Sequence, residues 1–217
     1  MRRLVLPLVL FASLQSFAAL AATPEQLTAF FRAVQLNDTK TVQQLVGKTV
    51  NPNEINPLGG EPALVLAVRE GSMGVFQALL QHPGTDLEAK AMNGNTALMM
   101  AAYKRNKPAA EALLARGARV NQAGWTPLHY AAASGDEDIA RLLIAKEARL
   151  DAVSPKESGA YTPLMMAARE GQQGMARLLL EQGADPRLKD SEGLTAVQIA
   201  ERAGRSDIVT TLSGARR

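Results

Sequence analysis

A short pattern recurs along this chain at a nearly constant interval, and it restricts the fold more than any other feature. Thr126-Pro127-Leu128-His129-Tyr130-Ala131-Ala132 and Thr162-Pro163-Leu164-Met165-Met166-Ala167-Ala168 are its clearest copies. Thr96-Ala97-Leu98-Met99-Met100-Ala101-Ala102, Thr195-Ala196-Val197-Gln198-Ile199-Ala200 and Pro62-Ala63-Leu64-Val65-Leu66-Ala67-Val68 keep the same register. The anchors Pro62, Thr96, Thr126, Thr162 and Thr195 are 34, 30, 36 and 33 residues apart. A unit of that length cannot bury a core alone, so neighbours must stack into an array.

Each unit reads as two helices. Thr can cap the first by accepting a backbone N–H, and Pro suits the first helical position, where its missing N–H goes unneeded. Leu and the Ala pair face a neighbouring helix. Gly71, Gly135, Gly171 and Gly204 stand nine residues after their anchors, where a left-handed residue ends a helix. A second helix follows with apolar residues at helical spacing, such as Ile139, Leu142 and Leu143. Its expected end is Gly84, Gly117 or Gly183, and turn residues then lead to the next anchor.

The pattern resembles the ankyrin repeat family over about Glu25 to Leu212. The resemblance implies an all-α solenoid of stacked helix-turn-helix units with short β-hairpin fingers. Six helix pairs are expected. Residues 22–57 form an N-terminal capping repeat, and 58–90, 91–121, 122–157 and 158–190 form four central repeats. Residues 191–217 form a C-terminal capping repeat with a basic tail. The first pair lacks the Thr-Pro motif and has Asn37 where Gly is usual; Asn tolerates left-handed geometry. Asn37-Asp38-Thr39 also matches a glycosylation sequon, beside its reading as a cap. Arg105 and Glu147 replace helix-ending glycines, with Pro108 close behind Arg105. The finger before Thr126 is three residues short and that before Thr162 three long. This is loop drift or a notch beside a protruding loop.

Ahead of the repeats, Met1-Arg2-Arg3, the apolar run Leu4 to Leu14 and Ala19-Leu20-Ala21 read as a signal peptide over residues 1–21. Cleavage follows Ala21 or Ala22. The apolar core is too short to span a bilayer of about 30 Å, and no later run is apolar enough to stop transfer. An ordinary basic leader fits better than the twin-arginine route. The chain has 24 basic and 21 acidic residues; without Arg2 and Arg3 the counts are 22 and 21. The mature chain is thus expected to be nearly neutral, exported to the periplasm or secreted, not inserted in a membrane, and monomeric when free.

The chemistry of an enzyme is missing from this reading. There is no cysteine, hence no thiolate zinc site, cysteine nucleophile or lipidated Cys. No metal-spaced cluster, nucleophile elbow or phosphate loop occurs. We expect no catalytic residues, no metal and no cofactor. The family uses the imidazole at the His129 position for structural hydrogen bonding between repeats, and His82 sits in a solvated turn. Asp136, Glu137 and Asp138 stand at a helix start, where negative charge suits the dipole. Lys104-Arg105-Asn106-Lys107 is the one dense basic run, read as solvated charge. Near-neutrality leaves no field for nucleic acid.

The remaining class is protein binding. By resemblance, contact positions lie just before each anchor and seven to eight residues after it. These include Trp125 and Tyr161 in the first group and Arg69, Glu70, Tyr103, Lys104, Arg169 and Glu170 in the second. Tyr130, four after its anchor, is a position turned toward the concave side. The chain is only 4% aromatic, yet its single Trp and all three Tyr lie between Tyr103 and Tyr161. Trp and Tyr dominate interface hot spots. Met100 and Met166 either line this surface adaptably or fill gaps between repeats; Met99 and Met165 read as gap fillers. The resemblance implies two roles: support of a periplasmic enzyme such as a peroxide-defence catalase, or immunity against a delivered toxin.

Overall fold

The structure is a computed structural model that describes residues 22–214. The leader and the Arg216-Arg217 tail lie outside the described residues. Among the described residues twelve α-helices follow in chain order: α1 (Pro24–Gln35), α2 (Thr39–Leu45), α3 (Ala63–Glu70), α4 (Met73–Gln81), α5 (Ala97–Tyr103), α6 (Lys107–Ala115), α7 (Pro127–Ser134), α8 (Glu137–Ala145), α9 (Pro163–Glu170), α10 (Gln173–Glu181), α11 (Ala196–Arg202) and α12 (Ser206–Gly214). They form the six expected pairs, and the first, expected to lack the Thr-Pro start, opens on Thr23-Pro24, with Thr23 Oγ1 accepting from Gln26 N. None is long and apolar enough to cross a membrane.

The local chemistry starts these helices where the pattern places them. Thr162 Oγ1 accepts from Met165 N at 3.3 Å, and Pro163 occupies the first turn. Three of the second helices, α2, α6 and α8, are capped by Asp38, Asn106 and Asp136, each accepting from the backbone N–H three residues on. Gly71, Gly135 and Gly171 end first helices at φ 72°, 74° and 80°. Asn37, Arg105 and Glu147 take the same left-handed turn at 56°, 56° and 62°. That conformation costs an L-residue about 1–2 kcal/mol, which the surrounding stack sustains. Gly84 behaves otherwise: α4 stops at Gln81, followed by an extended His82.

Packing makes two rows. The first helices α1, α3, α5, α7, α9 and α11 contact one another in sequence. Among second helices, α2 meets α4, and α6, α8, α10 and α12 form a continuous run. The Ala pairs 101–102, 131–132 and 167–168 are fully buried, allowing first helices to approach closely, while Leu98, Leu113, Leu128, Ile139, Leu143 and Leu164 fill the core.

The fingers correct one expectation. Among the described residues there is no β-ladder, only isolated bridges at Val46–Val50 and Ile55–Pro62. Their arms are too short: Ala91 N donates to Asn95 O, Ser154 N to Tyr161 O and Asp190 N to Leu194 O, and the pairing stops there. Neighbouring fingers are joined by the backbone only at single bonds, Met92 N to Gly60 O and Ser191 N to Gly159 O, and otherwise by side chains. Asn53 Oδ1 accepts from Asp86 N, Glu88 Oε1 from Arg119 N, Asn121 Oδ1 from Arg149 N and Asp151 Oδ1 from Asp185 N, at 2.7–3.0 Å. The long finger carries a 3-10 turn at Lys156–Ser158 and folds against the short one, where a Cβ on Gly124 would stand 3.2 Å from Pro155.

Candidate functional site

The middle repeats enclose an open groove of about 710 Å³. The C-terminal end of α5 supplies Tyr103, with Lys104 and Arg105 just beyond it. Trp125, His129, Tyr130, Ala133 and Ser134 come from α7 and the residue before its cap, and Met166, Arg169 and Glu170 from α9. Helical spacing explains the set: from each anchor, positions four, seven and eight fall on one face of a first helix.

His129 fixes the floor. Its buried ring accepts at Nδ1 from Thr126 N (3.2 Å) and faces Thr126 Oγ1 (2.9 Å), so Nε2 carries the proton and donates to Tyr161 O at 2.9 Å in the next repeat. Burial holds its pKa down to about 4, keeping it neutral. The structural role read from the sequence is therefore realised. Met99 and Met165 take the equivalent place in their repeats, each thioether 3.4 Å from the Thr N–H. His82 is half-buried, its Nδ1 accepting from Gly84 N.

Above the floor the aromatics meet at angles. Trp125 lies 5.2 Å from His129 edge-on and 6.1 Å from Tyr130, and Tyr103 meets Tyr130 at 6.2 Å and 89°. Tyr130 is held from behind by a hydroxyl hydrogen bond to Asn95 Oδ1, and burial raises its phenol pKa. Tyr103 is 56% exposed, a large apolar surface with no cover. Arg169 sits 5.1 Å over the Tyr161 ring and pairs with Glu170 at 2.9 Å.

The sequence-derived candidates divide accordingly. Trp125, Tyr103, Tyr130, Lys104, Met166, Arg169 and Glu170 converge on the groove. Tyr161 stands beside it, its ring against its own finger at Gly159 and under Arg169. Arg69 and Glu70 are apart, in the second repeat, where Arg69 bridges Glu61 and Glu70. Met100 is a correction: it is 8% exposed within the hydrophobic core, filling space between first helices. Met166 is 6% exposed yet still borders the groove. Lys104 and Arg105 are also more than solvated charge, since both line the groove, whereas Lys107 pairs with Asp138 at 3.0 Å. Arg105, missed as a candidate, had its signal in the sequence: a bulky cation in a glycine position. Among the described residues no group of three or more His, Asp or Glu is placed to hold a metal.

Comparison with known proteins agrees along most of the chain. A family model described as ankyrin repeats (3 copies) matches residues 30–123 and 64–154, and one described as ankyrin repeats (many copies) matches 152–200. Transient receptor potential cation channel subfamily A member 1 of Homo sapiens is 33% identical over 115 residues, 52% of this chain and 10% of that protein. Neurogenic locus notch homolog protein 1 of Xenopus laevis is 32% identical over 133 residues, 60% and 5%. SH3 and multiple ankyrin repeat domains protein 1 of Homo sapiens is 36% identical over 133 residues, 59% and 6%. The chain thus spans a tenth or less of these relatives.

Proposed function

The chain belongs to the ankyrin repeat family, a family of protein–protein interaction modules, and from that premise we propose that it binds a partner protein through the groove between α5, α7 and α9. The observation that carries this reading is the convergence of Trp125, Tyr103 and Tyr130 on one open surface, with Tyr103 uncovered. Large aromatic area with few rotamers is what interface hot spots use. Nothing in the fold requires Tyr103 to stay exposed.

The basic-apolar-small order of residues 1–21 supports export, with the periplasm as the working compartment. There the protein acts without catalysis of its own, supporting a periplasmic enzyme such as a peroxide-defence catalase. Affinity capture from periplasmic extract tests the groove, with Tyr103→Ala/Trp125→Ala as control. Equal capture by both forms sinks the reading. Peroxide sensitivity in a strain lacking the gene supports the enzyme-support role; rescue from a co-expressed toxin would replace it with immunity.

A further inference from the structure

The charges around the aromatic wall specify what it accepts. Lys104, Arg105 and Arg169 border the groove, against a single carboxylate, Glu170, which Arg169 already engages. Arg105 reaches Asp136 only at 3.9 Å, and Asp136 is occupied in capping Ile139 N. Lys104 is exposed, and among the described residues the nearby carboxylates Asp136 and Asp138 pair with Arg105 and Lys107 rather than with it. An aromatic wall alone would suit a methylated ammonium, but cations at the rim repel one. A nucleic-acid strand needs a track of cations along its backbone; here the three are local and partly paired.

We propose that the occupant is an acidic polypeptide segment: an aromatic or large apolar side chain seated against Trp125 and Tyr130, with flanking carboxylates meeting Lys104, Arg105 and Arg169. This rests on the groove being the partner site. The rim cations then select sequence and hasten encounter, while the aromatic wall holds the bound segment.

Trp125 is the only tryptophan, so its emission reports on the groove directly. The probes are a capped heptapeptide with a central phenylalanine among four carboxylates, its counterpart with four lysines, an acidic version with central alanine, and oligothymidylate. The acidic phenylalanine peptide should bind at least roughly tenfold tighter than the others, and weaken as salt rises. Lys104→Glu with Arg169→Glu, both on exposed side chains, should lower that affinity about tenfold or more. Equal or tighter binding of the lysine peptide or of oligothymidylate overturns the proposal. So does acidic-peptide binding that ignores the charge reversal, or no acidic-peptide binding up to about 1 mM. In each of these cases the groove itself is judged separately, by whether Tyr103→Ala/Trp125→Ala loses the captured partner.

Discussion

His129 Nε2 donates across a repeat boundary to the carbonyl of Tyr161 at 2.9 Å, joining the floor of the groove to the residue that opens the next unit. The same ring accepts from Thr126 N, so one side chain satisfies groups in two repeats. Replacement by Ala leaves both groups buried and opens a cavity. His129→Ala should lose about 3 kcal/mol in urea unfolding, and His129→Met, which copies Met99 and Met165, distinctly less. Equal losses would mean that the hydrogen bonds contribute nothing beyond volume.

The same residue gives stability a pH dependence. In the fold its pKa is near 4 because burial disfavours the charged ring, against 6.5 when exposed. Between these values the unfolded chain binds the proton more readily, so stability is complete above about pH 6.5 and falls as pH drops toward 4. The loss should approach about 3 kcal/mol. Denaturant midpoints from pH 7 to 4 should show this slope, reduced in His129→Met.

Tyr103 should separate folding from binding. It is largely exposed, so Tyr103→Ala should change stability by less than about 1 kcal/mol. Partner affinity should fall by about 2 kcal/mol, roughly 30-fold. Calorimetry with the captured partner decides the matter; unchanged affinity would remove Tyr103 from the interface.

Arg105 and Glu147 hold left-handed turns that glycine adopts without strain. Glu147→Gly should raise stability by up to about 1 kcal/mol, as should Arg105→Gly. Only the second removes a groove cation, so it should gain thermal stability while weakening an acidic ligand. A lower melting temperature for Glu147→Gly would show that the side chain supports the turn.

Asn121 both accepts from Arg149 N and donates to Glu147 O, tying the short finger before Thr126 to the long one before Thr162. Asn121→Ala should cost about 1–2 kcal/mol. Faster amide exchange at Arg149, with no change at Leu98, would place that cost in the finger.

The sequence made the array legible because its signals are local: Thr caps, small Ala pairs and helix-ending residues act within a single unit. The groove was readable through the family resemblance, which marks the residue before each anchor and those seven and eight after it as contact positions and so grouped Trp125, Tyr103 and Arg169, with Tyr130 at position four turned to the same side. Position four did not decide by itself: Met100 is buried between first helices, whereas Met166 and Tyr130 at the same position border the groove. The finger arms also escaped, since turn composition marks where a chain reverses without saying whether its arms are long enough to pair.

The side-chain ties between fingers reach only the adjacent unit, and every substantial helix contact does likewise. Pulled by the two ends of the described array, residues 22 and 214, such a molecule meets no clasp joining first unit to last. It should yield as a sequence of discrete extensions, each releasing one unit of slack, about 11 nm of chain, and recoil in similar increments when the load is removed. A tether with that behaviour absorbs strain a step at a time.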